Sequence, residues 1–224
     1  MLYTAHKLYK FGHNCELNSY TLNTLIDIFN KQIDKKSGTI LTGRKPVIEV
    51  NIPDLGHLVI KKYFRGGLVS YFNKDRYFFA KKSRSELEFD FLLKAEKAGV
   101  NVPEPIAFAN KGKIFYQTWL VLKKIKGAQN FIELCLKEKK KAIGLLPAIC
   151  KNINLLILNS IFHRDLHPGN IVMDNMDRPF IIDFDKACYF SGTQKELIKK
   201  YKNRWQRSVK KYDLPHELLM LELS

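Results

Sequence analysis

Apolar side chains recur at helical spacing through residues 14–33, NCELNSYTLNTLIDIFNKQI, which predicts an amphipathic helix near the start of the chain. The period then shortens. GTIL at 38–41, VIEVNI at 47–52 and HLVIKKYF at 57–64 read as three strands, with TGRKP as the first turn and PDLG as a hairpin signal between the second and third. A loop rich in glycine, basic and aromatic residues follows, RGGLVSYFNKDRYFF at 65–79. SRSELEFDFLLKAEKAG at 83–99 returns to a helical period, with Ser83 or Ser85 as N-cap and Gly99 just past the end. Residues 102–125 then form two more strands about a turn at Asn110–Lys113.

Beyond that point the pattern is mainly helical. Residues 129–142 and 143–160 predict helices, followed by a polar loop, short strands at IVM (171–173) and FIIDF (180–184), and a basic helix over 194–212. The change falls near Lys126–Gly127, which predicts an N-terminal lobe over 1–126 and a C-terminal lobe over 127–224 of a single domain. The fold class predicted is α+β: an antiparallel sheet carrying one inserted helix, then a small, mainly helical lobe.

Charge narrows the partners. Lys and Arg number 38 against 22 Asp and Glu, a net charge of +16, which points to an anionic partner: nucleic acid, an acidic membrane surface or a phosphorylated substrate. The four cysteines (Cys15, Cys135, Cys150, Cys188) form no CxxC pair, so neither a zinc site nor a redox motif is indicated. MLYTAHKLYK lacks the apolar core of a signal peptide. The most apolar run, residues 142–162, is interrupted by Pro147, Lys151, Asn152 and Asn154, as in a buried helix and not a membrane span. A cytoplasmic protein, resting on a membrane surface at most, is expected.

The candidate chemistry lies in HRDLHPGN, residues 163–170. It matches H-R-D-L-x-x-x-N, in which the aspartate aims an acceptor hydroxyl and takes its proton, and the asparagine five residues on holds a magnesium ion. A further carboxylate, on the next strand pair, is needed for the metal that bridges the ATP phosphates. Asp183 in FIIDFD stands at that place. Asp165 is thus the candidate base, Asn170 and Asp183 the candidate metal ligands, and ATP with Mg²⁺ the expected cofactors.

Upstream, such a site needs a strand lysine paired with a glutamate on the following helix. In LVIKK the V-A-I-K pattern points to Lys61; Lys62, whose side chain leaves the opposite face of the strand, is the rival. On the helix, Glu88 shares a stripe with Phe91, Leu92 and Ala95, whereas Glu86 shares one with Asp90. A carboxylate on an apolar stripe needs a partner, so Glu88 is the pairing candidate. No G-x-G-x-x-G is present. TGRKP can bring backbone N–H groups, with Arg44 and Lys45, to the phosphates, or can be a plain hairpin turn.

Two departures from protein kinases bear on the acceptor. The metal motif is DFD and not DFG, and only residues 184–224 follow Asp183, too few for a peptide-binding helical lobe. A small or lipid-linked acceptor is expected.

The order of GR (43–44), YFRGGL (63–68), NKDRYFF (73–79), EFDFLLKAEKAGVNVPEPIA (88–107), HRDLHPGN, IDFDKA (182–187) and NRWQRS (203–208) resembles the Kdo/heptose lipopolysaccharide kinase family over about residues 38–210. The loop motif is shared by many kinase-like proteins; RGGL followed by NKDRY is the more specific part. The resemblance implies a protein-kinase-like fold and ATP-dependent phosphorylation of 3-deoxy-D-manno-octulosonic acid (Kdo), at its 4-hydroxyl, on Kdo-lipid A at the cytoplasmic face of the bacterial inner membrane. It implies Asp165 as base, Asn170 and Asp183 as metal ligands and Glu88 as the helix partner.

On that reading Arg65, Lys74 and Arg76 are candidates for the anions of the acceptor. The cations of the last helix (Lys199, Lys200, Lys202, Arg204 and Arg207) are candidates for the acidic leaflet. Trp205 with Val209 is expected to be core packing. No nucleic acid is expected as a partner. The alternatives are a small atypical kinase acting on protein or another small molecule, and a basic nucleic-acid-binding module with a relic loop.

Overall fold

A computed structural model describes residues 1–31, 47–63, 77–78, 82–112 and 115–224 of the chain. These fall into two compact units, one of Met1–Asp90 with Glu104–Lys124 and one of Phe91–Pro103 with Ile125–Ser224.

The first unit is built on an antiparallel sheet. Its strands are β1 (Leu2–His6), β2 (Tyr9–His13), β3 (Val47–Ile52), β4 (Gly56–Lys62), β5 (Tyr77–Phe78), β6 (Pro105–Lys111) and β7 (Phe115–Lys123). Among the described residues the path runs β1-β2-β6-β7-β4-β3, with β5 also paired to β7. Helix α1 (Ser19–Asn30) starts at Asn18, whose side chain accepts the Thr21 N–H. Leu22, Leu25, Ile26 and Phe29 of α1 are buried with Phe11, Ile60, Trp119 and Val121. Phe29 stacks on Trp119 with centroids 4.9 Å apart. Each such large apolar side chain contributes about 1.5–3 kcal/mol by leaving water.

The β1–β2 hairpin is an element the pattern of apolar positions did not predict. Its register closes at His6↔Tyr9, leaving a two-residue turn at Lys7–Leu8 with φ 53° at Lys7. Such turns ordinarily announce themselves by Asn-Gly or Asp-Gly, and Lys-Leu carries no such signal. GTIL and TGRKP lie outside the described residues.

Helix α2 (Arg84–Lys97) begins at Ser83. The Ser83 Oγ accepts the Glu86 N–H at 3.2 Å and its carbonyl accepts the Leu87 N–H. Ser85, the other candidate, instead hydrogen-bonds Thr118 of β7. Thr118 Oγ1 in turn lies within hydrogen-bond distance of Ala109 O and Asn110 Oδ1. Ser83, Ser85 and Thr118 are fully buried. This satisfied polar cluster fixes the start of α2 against β6 and β7.

The second unit is mainly helical: α3 (Phe131–Lys137), α4 (Lys139–Gly144), α5 (Leu146–Leu158) and α6 (Gln194–Lys211). The helix expected over 129–142 starts with the Asn130 cap and breaks at Glu138 (φ −134°, ψ 62°). Pro147 falls in the first turn of α5, where its missing N–H costs nothing. By length and composition alone Lys139–Leu158 would suffice to cross a membrane. Ile149, Ile153, Leu156 and Ile157 of that run are nevertheless buried in the unit.

Short strands complete it: β8 (Gln129–Asn130), β9 (Ile161–Phe162), β10 (Ile171–Met173), β11 (Pro179–Ile181) and β12 (Cys188–Tyr189). They form the sheets β11-β10-β8 and β12-β9. Gly127 takes φ +64°, and a Cβ there would stand 2.8 Å from Cβ of Asn175, whose N–H donates to Lys126 O. Residues 91–103 belong with this unit because Ile181 N–H donates to Asn101 O and Phe91 meets Tyr189 edge to face. The α+β fold is that of a two-part kinase-like protein: an antiparallel sheet unit with helices, and a mainly helical unit.

Candidate active site

The alternation of β4 decides which lysine meets α2. Leu58 and Ile60 point into the α1 core, so Lys62, two further on, leaves on the same face and lies 5.6 Å from the Trp119 ring. Lys61 leaves on the other face. Its Nζ stands 2.9 Å from Oε2 and 3.2 Å from Oε1 of Glu88. The Tyr63 hydroxyl, next on that face, also donates to Glu88 Oε2. The Glu88 side chain is 2% exposed and that of Lys61 18%. Burying a carboxylate this deeply is costly unless it is paired and hydrogen-bonded, as it is here. Glu86, the rival, is turned outward to Tyr3 and Lys82.

In the second unit, residues 163–170 run from the end of β9 to the start of β10. Tyr201 of α6 pins the entry: its hydroxyl donates to Ile161 O at 2.7 Å and accepts the His163 N–H at 2.9 Å. Burial raises the Tyr201 pKa, so the hydroxyl keeps the proton it donates. The His163 Nε2–H donates to Ile182 O at 3.0 Å, tying the loop to the stretch that carries Asp183. Burial lowers the His163 pKa, and its Nδ1 has no hydrogen-bond partner among the described residues. The ring is neutral and serves as a tie. His167 Nδ1 accepts the Gly169 N–H, capping the short 3₁₀ turn Pro168–Asn170.

These ties bring Asp165, Asn170 and Asp183 into one neighbourhood. The Asn170 Nδ2 donates to the backbone carbonyl of Asp165 at 2.9 Å. The Ile182 N–H donates to Asn170 O at 3.0 Å, and Ile171 pairs with Ile181 across β10–β11. Asn170 is buried; Asp183 is exposed at φ 67°, a left-handed conformation that Asp and Asn tolerate better than most residues.

The donor set suits magnesium. With its nitrogen committed to Asp165, Asn170 offers Oδ1, and Asp183 offers a carboxylate, both hard oxygens. No group of three or more His, Cys, Asp or Glu able to hold a metal occurs among the described residues.

One member of the site was assigned elsewhere by its charge. Arg204 was grouped with the membrane-facing cations of α6. The structure turns it inward: Arg204 Nε lies 3.1 Å from Asp165 Oδ1, and Nη2 donates to the same oxygen. Its position held the signal. Leu197, Tyr201, Trp205 and Ser208 form the buried stripe of α6, and Arg204 lies three residues after Tyr201 and next to Trp205. Of the other cations, Lys199 and Arg207 are exposed, and Lys200 lies over the Phe162 and Phe190 rings. Arg44, Arg65, Lys74 and Arg76 lie outside the described residues.

Comparison with known proteins follows the same line. The model of the lipopolysaccharide kinase (Kdo/WaaP) family matches residues 41–216. The chain is 34% identical over 190 residues to the 3-deoxy-D-manno-octulosonic acid kinase of Vibrio vulnificus strain YJ016, covering 80% of this chain and 79% of that one. It is 37% identical over 151 residues to the protein of the same name in strain CMCP6, covering 66% and 63%. With that of Vibrio parahaemolyticus serotype O3:K6 it shares 36% over 137 residues, covering 60% and 57%.

Proposed function

The chain belongs to the lipopolysaccharide kinase (Kdo/WaaP) family, and from that premise we propose that it transfers the γ-phosphoryl group of ATP to a hydroxyl of Kdo in lipopolysaccharide core biosynthesis. The acceptor is Kdo on lipid A and the hydroxyl the one at position 4. The acceptor oxygen attacks the γ-phosphorus, a new P–O bond forms as the bond to ADP breaks, and the hydroxyl proton passes to the Asp165 carboxylate. Lys61, aligned by Glu88, binds the α- and β-phosphates. Asn170 Oδ1 and Asp183 are the groups that would hold Mg²⁺, whose charge offsets that of the phosphates. Arg44 is assigned to the phosphates, and Arg65, Lys74 and Arg76 to the acceptor's anionic groups.

The observation that carries this reading is the tie between Asn170 and the Asp165 backbone, with Asp183 joined to the same turn through Ile182. A base and two oxygen ligands in one neighbourhood are what phosphoryl transfer to an alcohol requires. The exposed cations of α6, Lys199, Arg207, Lys210 and Lys211, favour peripheral contact with the acidic leaflet of the inner membrane, at about 1 kcal/mol for each near-surface charge. The test is incubation of the purified protein with ATP, Mg²⁺ and Kdo-lipid A, read by mass spectrometry of the lipid. Gain of one phosphoryl group is expected. Consumption of ATP with an unchanged lipid would remove the assigned acceptor.

A further inference from the structure

We propose that Arg204 is a positioning residue for phosphoryl transfer: it holds one oxygen of Asp165 so that the other alone faces the acceptor hydroxyl. The inference rests on the assignment of Asp165 as the base.

Arg204 is placed by a rigid element. Helix α6 opens with a reciprocal cap, Thr193 Oγ1 accepting the Glu196 N–H and Glu196 Oε2 accepting the Thr193 N–H. Three residues before Arg204, Tyr201 is locked to both Ile161 and His163. One residue after it, the buried Trp205 donates its indole N–H to Leu218 O at 2.8 Å. The guanidinium thus extends from a fixed base.

The contact is one-sided. Both Nε and Nη2 go to Asp165 Oδ1, while Oδ2 accepts no hydrogen bond among the described residues. The more common fork gives each carboxylate oxygen its own donor. The backbone of Asp165 is held separately, by Asn170 at its carbonyl. With main chain and one oxygen both fixed, the carboxylate has no freedom left to rotate, and Oδ2 keeps a single direction.

Direction is what this reaction needs. The transition state of phosphoryl transfer is loose, so catalysis depends on placing the acceptor in line more than on strong proton abstraction. An unclamped, half-exposed aspartate would sample several orientations. If Arg204–Asp165 were an ordinary surface ion pair, its loss would be nearly silent in turnover.

The test compares the full-length wild type with Arg204→Gln, Arg204→Lys and Arg204→Ala, measuring kcat and the KM for ATP and for Kdo-lipid A. Arg204→Gln is expected to lower kcat about 10- to 100-fold with both KM values nearly unchanged. Arg204→Lys should recover only part, since a point charge cannot reproduce the two-donor contact. Millimolar guanidinium should restore turnover to Arg204→Ala. A kcat within about twofold of wild type in Arg204→Gln overturns the proposal. So does a rise confined to the acceptor KM, which would make Arg204 a substrate ligand.

Failure of the acceptor assignment is told apart by the wild type alone, which would then not phosphorylate Kdo-lipid A. In that event a crystal structure of Arg204→Gln decides. A carboxylate spread over several rotamers supports the positioning role, and one unchanged from the wild-type rotamer ends it.

Discussion

Lys61 and Glu88, on β4 and α2, meet with Nζ 2.9 Å from Oε2, and Tyr63 donates to the same carboxylate. The pair links two otherwise separate choices of the sequence. Strand alternation sends Lys61, and not Lys62, toward the helix. The polar cluster of Ser83, Ser85 and Thr118 sets the start of α2, so that Glu88 falls just over one turn in. On the proposed function, this buried carboxylate, reached by both Lys61 and Tyr63, gives the lysine a fixed base from which to meet phosphate oxygens.

Replacing Lys61 by Met should therefore affect both stability and turnover. Glu88 would lose the Lys61 ammonium and remain buried, a loss of about 1–3 kcal/mol, less than for a fully buried pair broken outright. The KM for ATP should rise as well. The double variant Lys61→Met, Glu88→Gln should recover much of the stability and none of the activity. Urea titration and steady-state kinetics on the three proteins check this; recovery of activity in the double variant would show that the pair is only structural.

Asp165→Asn keeps the shape of the side chain and removes the proposed proton acceptor. Turnover should fall by about 10²–10⁴-fold, with nucleotide affinity unchanged. Calorimetric titration with ATP and Mg²⁺, beside the transfer assay, separates the two effects. Near-normal transfer would place the base elsewhere.

How far such a site is legible in the residues depends on what fixes each member. Glu88 could be found because a helical period leaves one carboxylate on an apolar stripe. Lys61 and Lys62 could not be separated by alternation alone, because which face of β4 meets α2 is a tertiary fact. The β1–β2 hairpin was hidden by a turn without glycine, asparagine or proline. Arg204 was hidden by its neighbours: amid so many lysines it was grouped by charge, although its place beside Trp205 marks it as the cation that turns inward. The structure also fixed the break at Glu138, inside a stretch where the expected helical pattern did not stop.

The metal side of the site can be tested without disturbing the backbone. Asp183 has φ 67°, a conformation that asparagine also tolerates, so Asp183→Asn removes the charge at little cost in strain. The Mg²⁺ concentration giving half-maximal activity should rise at least about 10-fold, while the melting temperature stays near that of wild type. Asn170→Ala should show the same metal dependence and a further loss of kcat, because it also frees the Asp165 carbonyl. An unchanged Mg²⁺ profile in both variants would remove them as ligands.

The turn that joins β10 to β11, and so joins the Asn170 side to the Asp183 side, is closed by Asp174. Burial by itself would raise the Asp174 pKa, but the N–H groups of Arg178 and Met176 and the Arg178 guanidinium together bring it below the ordinary carboxylate value. The stabilisation is therefore complete above about pH 4, near the unfolded-state pKa, and is lost as pH falls through the lower folded-state value. Wild-type stability should decline below about pH 4, and Asp174→Asn should be less stable at neutral pH with a shallower acid slope. Urea midpoints measured from neutral to acid pH on both proteins test the assignment. Parallel slopes would mean that Asp174 does not govern the acid sensitivity of this turn.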